Sequence, residues 1–195
     1  MAPLMHRAAI LARSLRRPAL SRALFRPAAR RAFSAARGAE ESADARLAAL
    51  GYELPPVPEP KGSYELTSRL GNALHLAGHI PARSDGSLIV GKVGVDLSDD
   101  EARAAAEVVG LNILATLRSE VGLGNVVKIH KLVGFVNCCD GFANQPFVIN
   151  GCSDLLHAVL GPDVGVHARS AVGTNALPLN IPVEIEAIVE VHPGS

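Results

Sequence analysis

The chain has 195 residues and no formal net charge, but this balance averages two unlike pieces. Its first 37 residues hold nine arginines and no acidic side chain, whereas the rest holds 10 Lys and Arg against 19 Asp and Glu, a net charge of −9. An acidic second piece without tryptophan argues against binding to a phosphate backbone or stacking on bases, so no nucleic acid partner is expected. Because no run approaches the roughly 18 apolar residues of a membrane span, no membrane partner is expected either.

Residues 1–37 are predicted to be a transit peptide. Their arginines alternate with apolar side chains at helical spacing, and an Arg-rich, amphipathic, acid-free segment is typical of an organelle import signal. The stretch Arg30–Ser34 has the order of arginine, aromatic residue and serine at which mitochondrial presequences are often trimmed. We expect import into the mitochondrial matrix, with the plastid stroma as the alternative. A basic tail that binds nucleic acid is less favoured.

Residues 38–62 are predicted to hold a short helix and a Pro-rich arm. Residues 40–50 have a helical composition that ends at Gly51, and residues 54–61 contain four prolines, which favour an extended segment. Residues 63–193 are then one domain, long enough to bury a hydrophobic core of its own.

Three strands are predicted at the start of this domain. Tyr64–Leu70 and Ala73–Ile80 flank Gly71–Asn72, which is a typical hairpin turn. A third short strand, Leu88–Val90, follows the turn at Asp85–Gly86.

A long helix is predicted next, from Glu101 to about Val121, and Ser98 and Glu101 form a capping box at its start. Most of its circumference is apolar, so a sheet must cover it. The remaining elements are a strand, a second helix and two strands, at Val126–Val136, Gln145–Leu160, 166–173 and 181–191. This order predicts an α+β fold in which a mixed sheet packs two helices on one face.

Arg169 is the most unusual side chain. It stands in an apolar strand and is the only formally charged residue between Asp163 and Glu184. A buried guanidinium needs an anionic partner, which is either a ligand or a carboxylate of a neighbouring subunit. In the last strand, apolar residues alternate with Glu184 and Glu186, so one face is predicted to be core and the other to carry carboxylates.

No metal or cofactor site is predicted. Cys138, Cys139 and Cys152 lack the spacing of metal ligands, and their odd number does not suggest a disulfide framework. Buried thiols are expected, with a reactive cysteine as the less favoured alternative. His75 and His79 lie in a strand-like alternation rather than at the helical spacing of a zinc motif.

Eight segments together resemble the YjgF/RidA family, the reactive intermediate deaminases, which also carry the family name endoribonuclease L-PSP. These segments are Gly62–Tyr64, Gly71–Asn72, Ala77–Pro81, Gly91–Leu97, Lys131–Asn137, Gln145–Gly151, Ala168–Ser170 and Glu184–Ile188. The last two form the most specific pair, in which Glu184 follows Arg169 by 15 residues.

The resemblance implies a chorismate-mutase-like fold and a homotrimer, with the sheets forming an inner barrel and three clefts lying between subunits. In active members the matching arginine holds the carboxylate of a 2-imino or 2-enamino acid. The matching glutamate positions the water that hydrolyses it to a 2-keto acid and ammonia, without a cofactor. Arg169 and Glu184 are therefore the expected catalytic residues, and the matching substrate-binding positions are Tyr64, Gly78, Asn150 and Ala171.

Two departures from the family pattern indicate a divergent branch. Ala171 stands where cysteine is common and Ala77 where serine is common. The alternative function is a non-catalytic trimer that binds a small carboxylate metabolite. A third alternative, ribonuclease activity or inhibition of translation, is less favoured because the net charge of the second piece is −9.

Overall fold

The computed structural model describes residues 42–195, so the predicted transit peptide lies outside the described residues. The helices are α1 (Ala43–Ala49), α2 (Asp99–Glu120), α3 (Gln145–Leu160) and the single turn α4 (Pro162–Gly165). The strands are β1 (Thr67–Leu70), β2 (Ala73–His79), β3 (Val126–Asn137), β4 (Ala168–Thr174) and β5 (Val183–Val191). Among these helices, none is long and apolar enough to cross a membrane.

The five strands form one mixed sheet in the order β1-β2-β5-β3-β4. Neighbouring strands are antiparallel except β3 and β4, which run parallel and are joined by the crossover helix α3. The predicted α+β fold is confirmed. Strand β4 lies at one edge of the sheet. The Arg169 side chain of this strand lies on the helix-covered face, beside α3.

The capping box at the start of α2 is present as predicted. The Ser98 hydroxyl accepts a hydrogen bond from the Glu101 amide at 3.3 Å, and the Glu101 carboxylate accepts one from the Ser98 amide at 2.8 Å. Helix α2 crosses α3 with the two backbones in contact. A Cβ atom at Gly151 would lie 2.0 Å from the carbonyl oxygen of Arg103, so glycine is required at that crossing.

Strand β5 divides the sheet into two faces, as its alternation predicts. Its apolar positions are buried beneath the helices, and they are Val183, Ile185, Ala187, Val189 and Val191. We call the opposite surface the open face. It carries half-buried or exposed side chains of the three strands β3, β4 and β5, namely Lys131, Val133, Phe135, Ser170, Val172, Glu184, Glu186, Ile188 and Glu190.

The segment before the sheet is fastened to the helices. Ala43 and Leu47 of α1 belong to the hydrophobic core, and the Arg46 Nε atom donates to the Val159 carbonyl at 2.7 Å. The Tyr52 hydroxyl donates to the Glu107 carboxylate of α2 at 2.6 Å. The predicted short helix is therefore packed against α3.

Two predicted elements differ from the structure. Leu88–Val90 is not a strand, because the chain turns back on itself between Arg83 and Ser87 and leaves only an isolated bridge between Ala82 and Leu88. Strand β1 begins at Thr67 rather than Tyr64, because the Tyr64 amide bonds to the Gly62 carbonyl in a turn. Both segments have strand-like composition but lack a partner of sufficient length.

Candidate functional site

Arg169 projects from β4 toward α3 and is held there by three hydrogen bonds. Its Nη1 atom donates to Asn150 Oδ1 at 2.8 Å and to Ser153 Oγ at 2.9 Å, and its Nη2 atom donates to the Pro146 carbonyl at 3.2 Å. Asn150 and Ser153 are three residues apart on α3, so both lie on the helix face that meets β4. The guanidinium is thereby fixed in position.

The charge of Arg169 is not matched by a carboxylate within residues 42–195, because none of the salt bridges found there includes it. The three hydrogen bonds leave the Nε–H and one Nη2–H without an acceptor in this part of the chain. Nε and Nη2 form one side of the guanidinium, and a side of this kind can donate two parallel hydrogen bonds to a carboxylate.

Ser153 is in turn bonded to His167, at the start of β4. The His167 Nε2 atom lies 3.0 Å from Ser153 Oγ, and its Nδ1 atom lies 2.6 Å from the Gly165 carbonyl oxygen. Burial lowers the pKa of His167, and the positive charge of Arg169 lowers it further, although the Gly165 carbonyl opposes this shift. His167 is therefore neutral at neutral pH.

Glu184 lies on the open face of β5 and is half-buried. Burial raises the pKa of its carboxyl, and the negative charge of Glu186 raises it further. Its position depends on Gly78 of β2, since a Cβ atom there would lie 1.9 Å from Glu184 Oε1. The register of β2 against β5 shifts between Leu76 and His79, and this irregularity places the glycine backbone against the carboxylate.

Tyr64 lies beside Gly78 at a cavity of about 300 Å³. The tyrosine is exposed, and its hydroxyl accepts a hydrogen bond from the Lys61 amide at 3.3 Å. The cavity wall is largely apolar, with contributions from the Pro-rich arm and the segment after β2, and it includes Pro56, Val57, Leu66, Ile80 and Leu88. A carbon side chain fits such a surface better than a charged one does.

The sequence-predicted residues fall into two groups on opposite faces of the sheet. Arg169 pairs with the fully buried Leu132 and faces α3, while Glu184 alternates with buried Val183 and Ile185 and faces away from the helices. We call the first group the arginine half-site; it contains Arg169 and Asn150, and Ala171 packs beside it. The second group, with Tyr64, Gly78 and Glu184, is the glutamate half-site. One chain does not bring the two together.

Two residues beside the arginine half-site were not predicted from the sequence, Ser153 and His167. A signal for both was present. Ser153 follows Asn150 at helical spacing, and His167 precedes Arg169 by two positions in a strand, so each shares a face with a predicted residue. Their significance depends on α3 packing against β4, which local sequence patterns do not specify.

The cysteines and histidines do not form a metal site in residues 42–195, where no group of three His, Cys, Asp or Glu side chains is suitably placed. All three cysteines are free. Cys138 and Cys152 are buried, as expected, whereas Cys139 is only half-buried. Burial raises the pKa of the Cys152 thiol to about 12, so this cysteine stays protonated and unreactive at neutral pH.

Comparison with known proteins shows that the chain is similar to one protein family and to several of its members. Residues 44–190 match the family described as "YjgF/chorismate_mutase-like, putative endoribonuclease". The chain is 37% identical over 149 residues to Protein TCP17 of Trypanosoma cruzi. The aligned region covers 76% of this chain and 93% of that protein.

Solved structures agree with this match. The Agrobacterium tumefaciens protein Atu1372 is 39% identical, with a TM-score of 0.70 over 77% of this chain and 94% of the other. A Shewanella oneidensis structure described as a "putative endoribonuclease" is 31% identical, with a TM-score of 0.74 over 77% of this chain and 100% of the other. Because the family model spans most of the described residues and these relatives are covered almost in full, the chain belongs to the YjgF/RidA family.

Proposed function

We propose that this protein hydrolyses reactive 2-imino and 2-enamino acids, such as 2-aminoacrylate, to 2-keto acids and ammonia. The observation that carries the proposal is the open edge of Arg169, which is held rigidly by α3 and has no carboxylate partner in residues 42–195. A 2-imino acid presents a carboxylate next to its C=N bond. Two parallel hydrogen bonds to that carboxylate would also fix the plane of the C=N group.

Glu184 is suited to the proton transfers of this reaction. A 2-enamino acid first tautomerises to the 2-imino acid, as C3 gains a proton from solvent and the nitrogen loses one. Water then adds to C2, so that a C–O bond forms while the C=N electron pair moves to nitrogen. Glu184 accepts the proton that leaves the water and returns it to the nitrogen. Collapse of the carbinolamine then breaks the C–N bond, and the hydroxyl proton leaves with ammonia. The raised pKa of Glu184 makes it a stronger base than an ordinary carboxylate.

The separation of the two half-sites supports a homotrimer. Since Arg169 and Glu184 face opposite ways in one chain, a complete site requires the arginine half-site of one subunit and the glutamate half-site of another. The open face of the sheet carries apolar side chains, Val133, Phe135, Val172 and Ile188, which a neighbouring subunit would cover. We therefore place the reaction in clefts between subunits.

The test of this function is a coupled assay. Purified protein is mixed with a dehydratase that releases 2-aminoacrylate, and formation of the 2-keto acid is followed against the spontaneous rate. We expect acceleration in proportion to the protein added. If the rate stays spontaneous while 2-keto acids raise the melting temperature, the chain is a carboxylate-binding trimer instead. The endoribonuclease activity named in the descriptions of the family and of a relative is less compatible with the net charge of −9 on residues 38–195, and salt-sensitive RNA binding would speak for it.

We also propose that the protein acts in the mitochondrial matrix. The proposal rests on the nine arginines and absent acidic residues of positions 1–37. A fluorescent fusion of the full chain is expected to enter mitochondria, and a fusion that begins at residue 38 is expected to remain outside. Entry of the full chain into plastids would favour the stromal alternative, and equal distribution of both fusions would contradict an import signal.

A further inference from the structure

The hydrogen bonds around neutral His167 have only one consistent assignment of protons. A carbonyl oxygen can only accept, so the contact with Gly165 places a proton on His167 Nδ1. In the neutral imidazole the other nitrogen, Nε2, is then an acceptor. Ser153 must donate its hydroxyl hydrogen to Nε2, which turns the oxygen lone pairs of Ser153 toward Arg169 Nη1.

We propose that His167 is a positioning residue for the substrate carboxylate clamp, acting through Ser153, and that it performs this role only in its neutral form. The inference rests on the proposed function of Arg169 as the clamp. Neutral His167 fixes the rotation of the Ser153 hydroxyl, and Ser153 with Asn150 fixes Nη1. The opposite edge of the guanidinium, Nε and Nη2, is thereby held in one plane for the ligand.

Protonation of His167 reverses the donor at Nε2. Ser153 Oγ would then accept from two cations, His167 and Arg169, and its own hydrogen would have to turn away. The added charge lies on the Nη1 side of Arg169, away from the edge that faces the ligand, so it opposes the clamp geometry more than it attracts the carboxylate. Affinity for a carboxylate should therefore fall as the pH falls.

Other charged groups surround His167 and provide controls. Lys128 on β3 and Arg169 on β4 are cations near the ring, and His157 on α3 is a second titratable group that lowers its pKa. Asp154 of α3 lines the same cavity but is paired with Arg103 at 2.8 Å. His157 shares the cavity with His167 and is not among the residues bonded to Ser153, so His157→Gln is a matched control.

The test measures the dissociation constant of 2-ketobutyrate by calorimetry, in a Glu184→Gln background that removes the titratable carboxyl of the glutamate half-site. As the pH falls from about 8 to about 4, a range that extends well below the ordinary histidine pKa because burial lowers the pKa of His167, we expect binding to the parent to weaken about ten-fold. His167→Gln still presents an acceptor to Ser153 but does not titrate. It should match the parent at high pH and lose the pH dependence, while His157→Gln should keep the pH dependence.

Three outcomes would overturn the inference: binding to the parent that is independent of pH, a His167→Gln variant that keeps the slope, or a His157→Gln variant that loses it. Arg169→Ala separates this failure from failure of the proposed function. If Arg169→Ala binds 2-ketobutyrate as well as the parent, the clamp itself is wrong. If it loses binding while His167→Gln keeps the slope, only the positioning role is wrong.

Discussion

Arg169→Lys is expected to lower kcat/KM for 2-imino acid hydrolysis by about 100- to 1000-fold, which corresponds to about 3 to 4 kcal/mol of lost transition-state stabilisation. Lysine keeps the positive charge but presents a single ammonium group, which cannot bond to both oxygens of a carboxylate in one plane. It also cannot donate to Asn150, Ser153 and the Pro146 carbonyl with the geometry of the guanidinium. The C=N group would therefore lose its fixed orientation toward the attacking water.

The measurement compares initial rates of 2-keto acid formation, with melting temperature and oligomeric mass recorded for each variant. Arg118→Lys is the matched control, because Arg118 forms an exposed ion pair with Asp44 at 3.4 Å and lies on α2 rather than beside the half-sites. An exposed pair of this kind contributes little to stability, so this control should retain wild-type activity and folding. Full activity of Arg169→Lys would show that charge alone is sufficient and would refute the bidentate clamp.

The sequence predicted the parts of this fold whose signal is local. The capping box located the start of α2, and the alternation of β5 correctly separated Val183 from Glu184. The strand order was not predicted, because the pairing of β5 between β2 and β3 depends on contacts far apart in the chain. Leu88–Val90 shows the limit of propensity, since β-branched residues formed no strand where no partner was available.

In the candidate site too, local patterns could be predicted from the sequence, whereas contacts between distant segments could not. Family motifs located Arg169 and Glu184, but their spacing in the sequence conceals that they face opposite sides of the sheet. The face on which each side chain lies follows from the pairing of β4 with β3 and of β3 with β5. That pairing had to be known before the two residues could be assigned to opposite faces. The spacing of His167 from Arg169 was visible in the sequence, but its role became apparent only once the contact between Ser153 and Arg169 placed it next to the site.

Glu184→Gln is expected to lower kcat by about 100- to 10,000-fold, because the amide cannot accept the proton that leaves the water. The same change should stabilise the fold at neutral pH. The folded-state pKa of Glu184 is raised above its unfolded value, so the folded protein holds this proton more tightly than the unfolded chain does. Ionisation of Glu184 thus costs stability once the pH rises through the folded pKa.

The difference in melting temperature between Glu184→Gln and the wild type should therefore be small near pH 4.5, the ordinary pKa of the group, and grow as the pH rises. Glu186→Gln is the control. It removes the neighbouring charge that helps to raise the pKa of Glu184, so the acid limb of the activity profile should move to lower pH while the maximum rate is kept. A Glu184→Gln variant that is less stable than the wild type at neutral pH would contradict the assigned pKa shift.

Mixing two inactive variants tests whether the half-sites meet across subunits. A cleft formed by the arginine half-site of a Glu184→Gln subunit and the glutamate half-site of an Arg169→Ala subunit contains both wild-type residues. Co-refolding the two variants should therefore restore part of the lost activity, whereas either variant alone stays inactive. If the mixture remains inactive although mixed trimers form, the two residues act within one subunit or not at all. Restored activity would establish the intersubunit site through function, because opposite faces of one sheet cannot supply it.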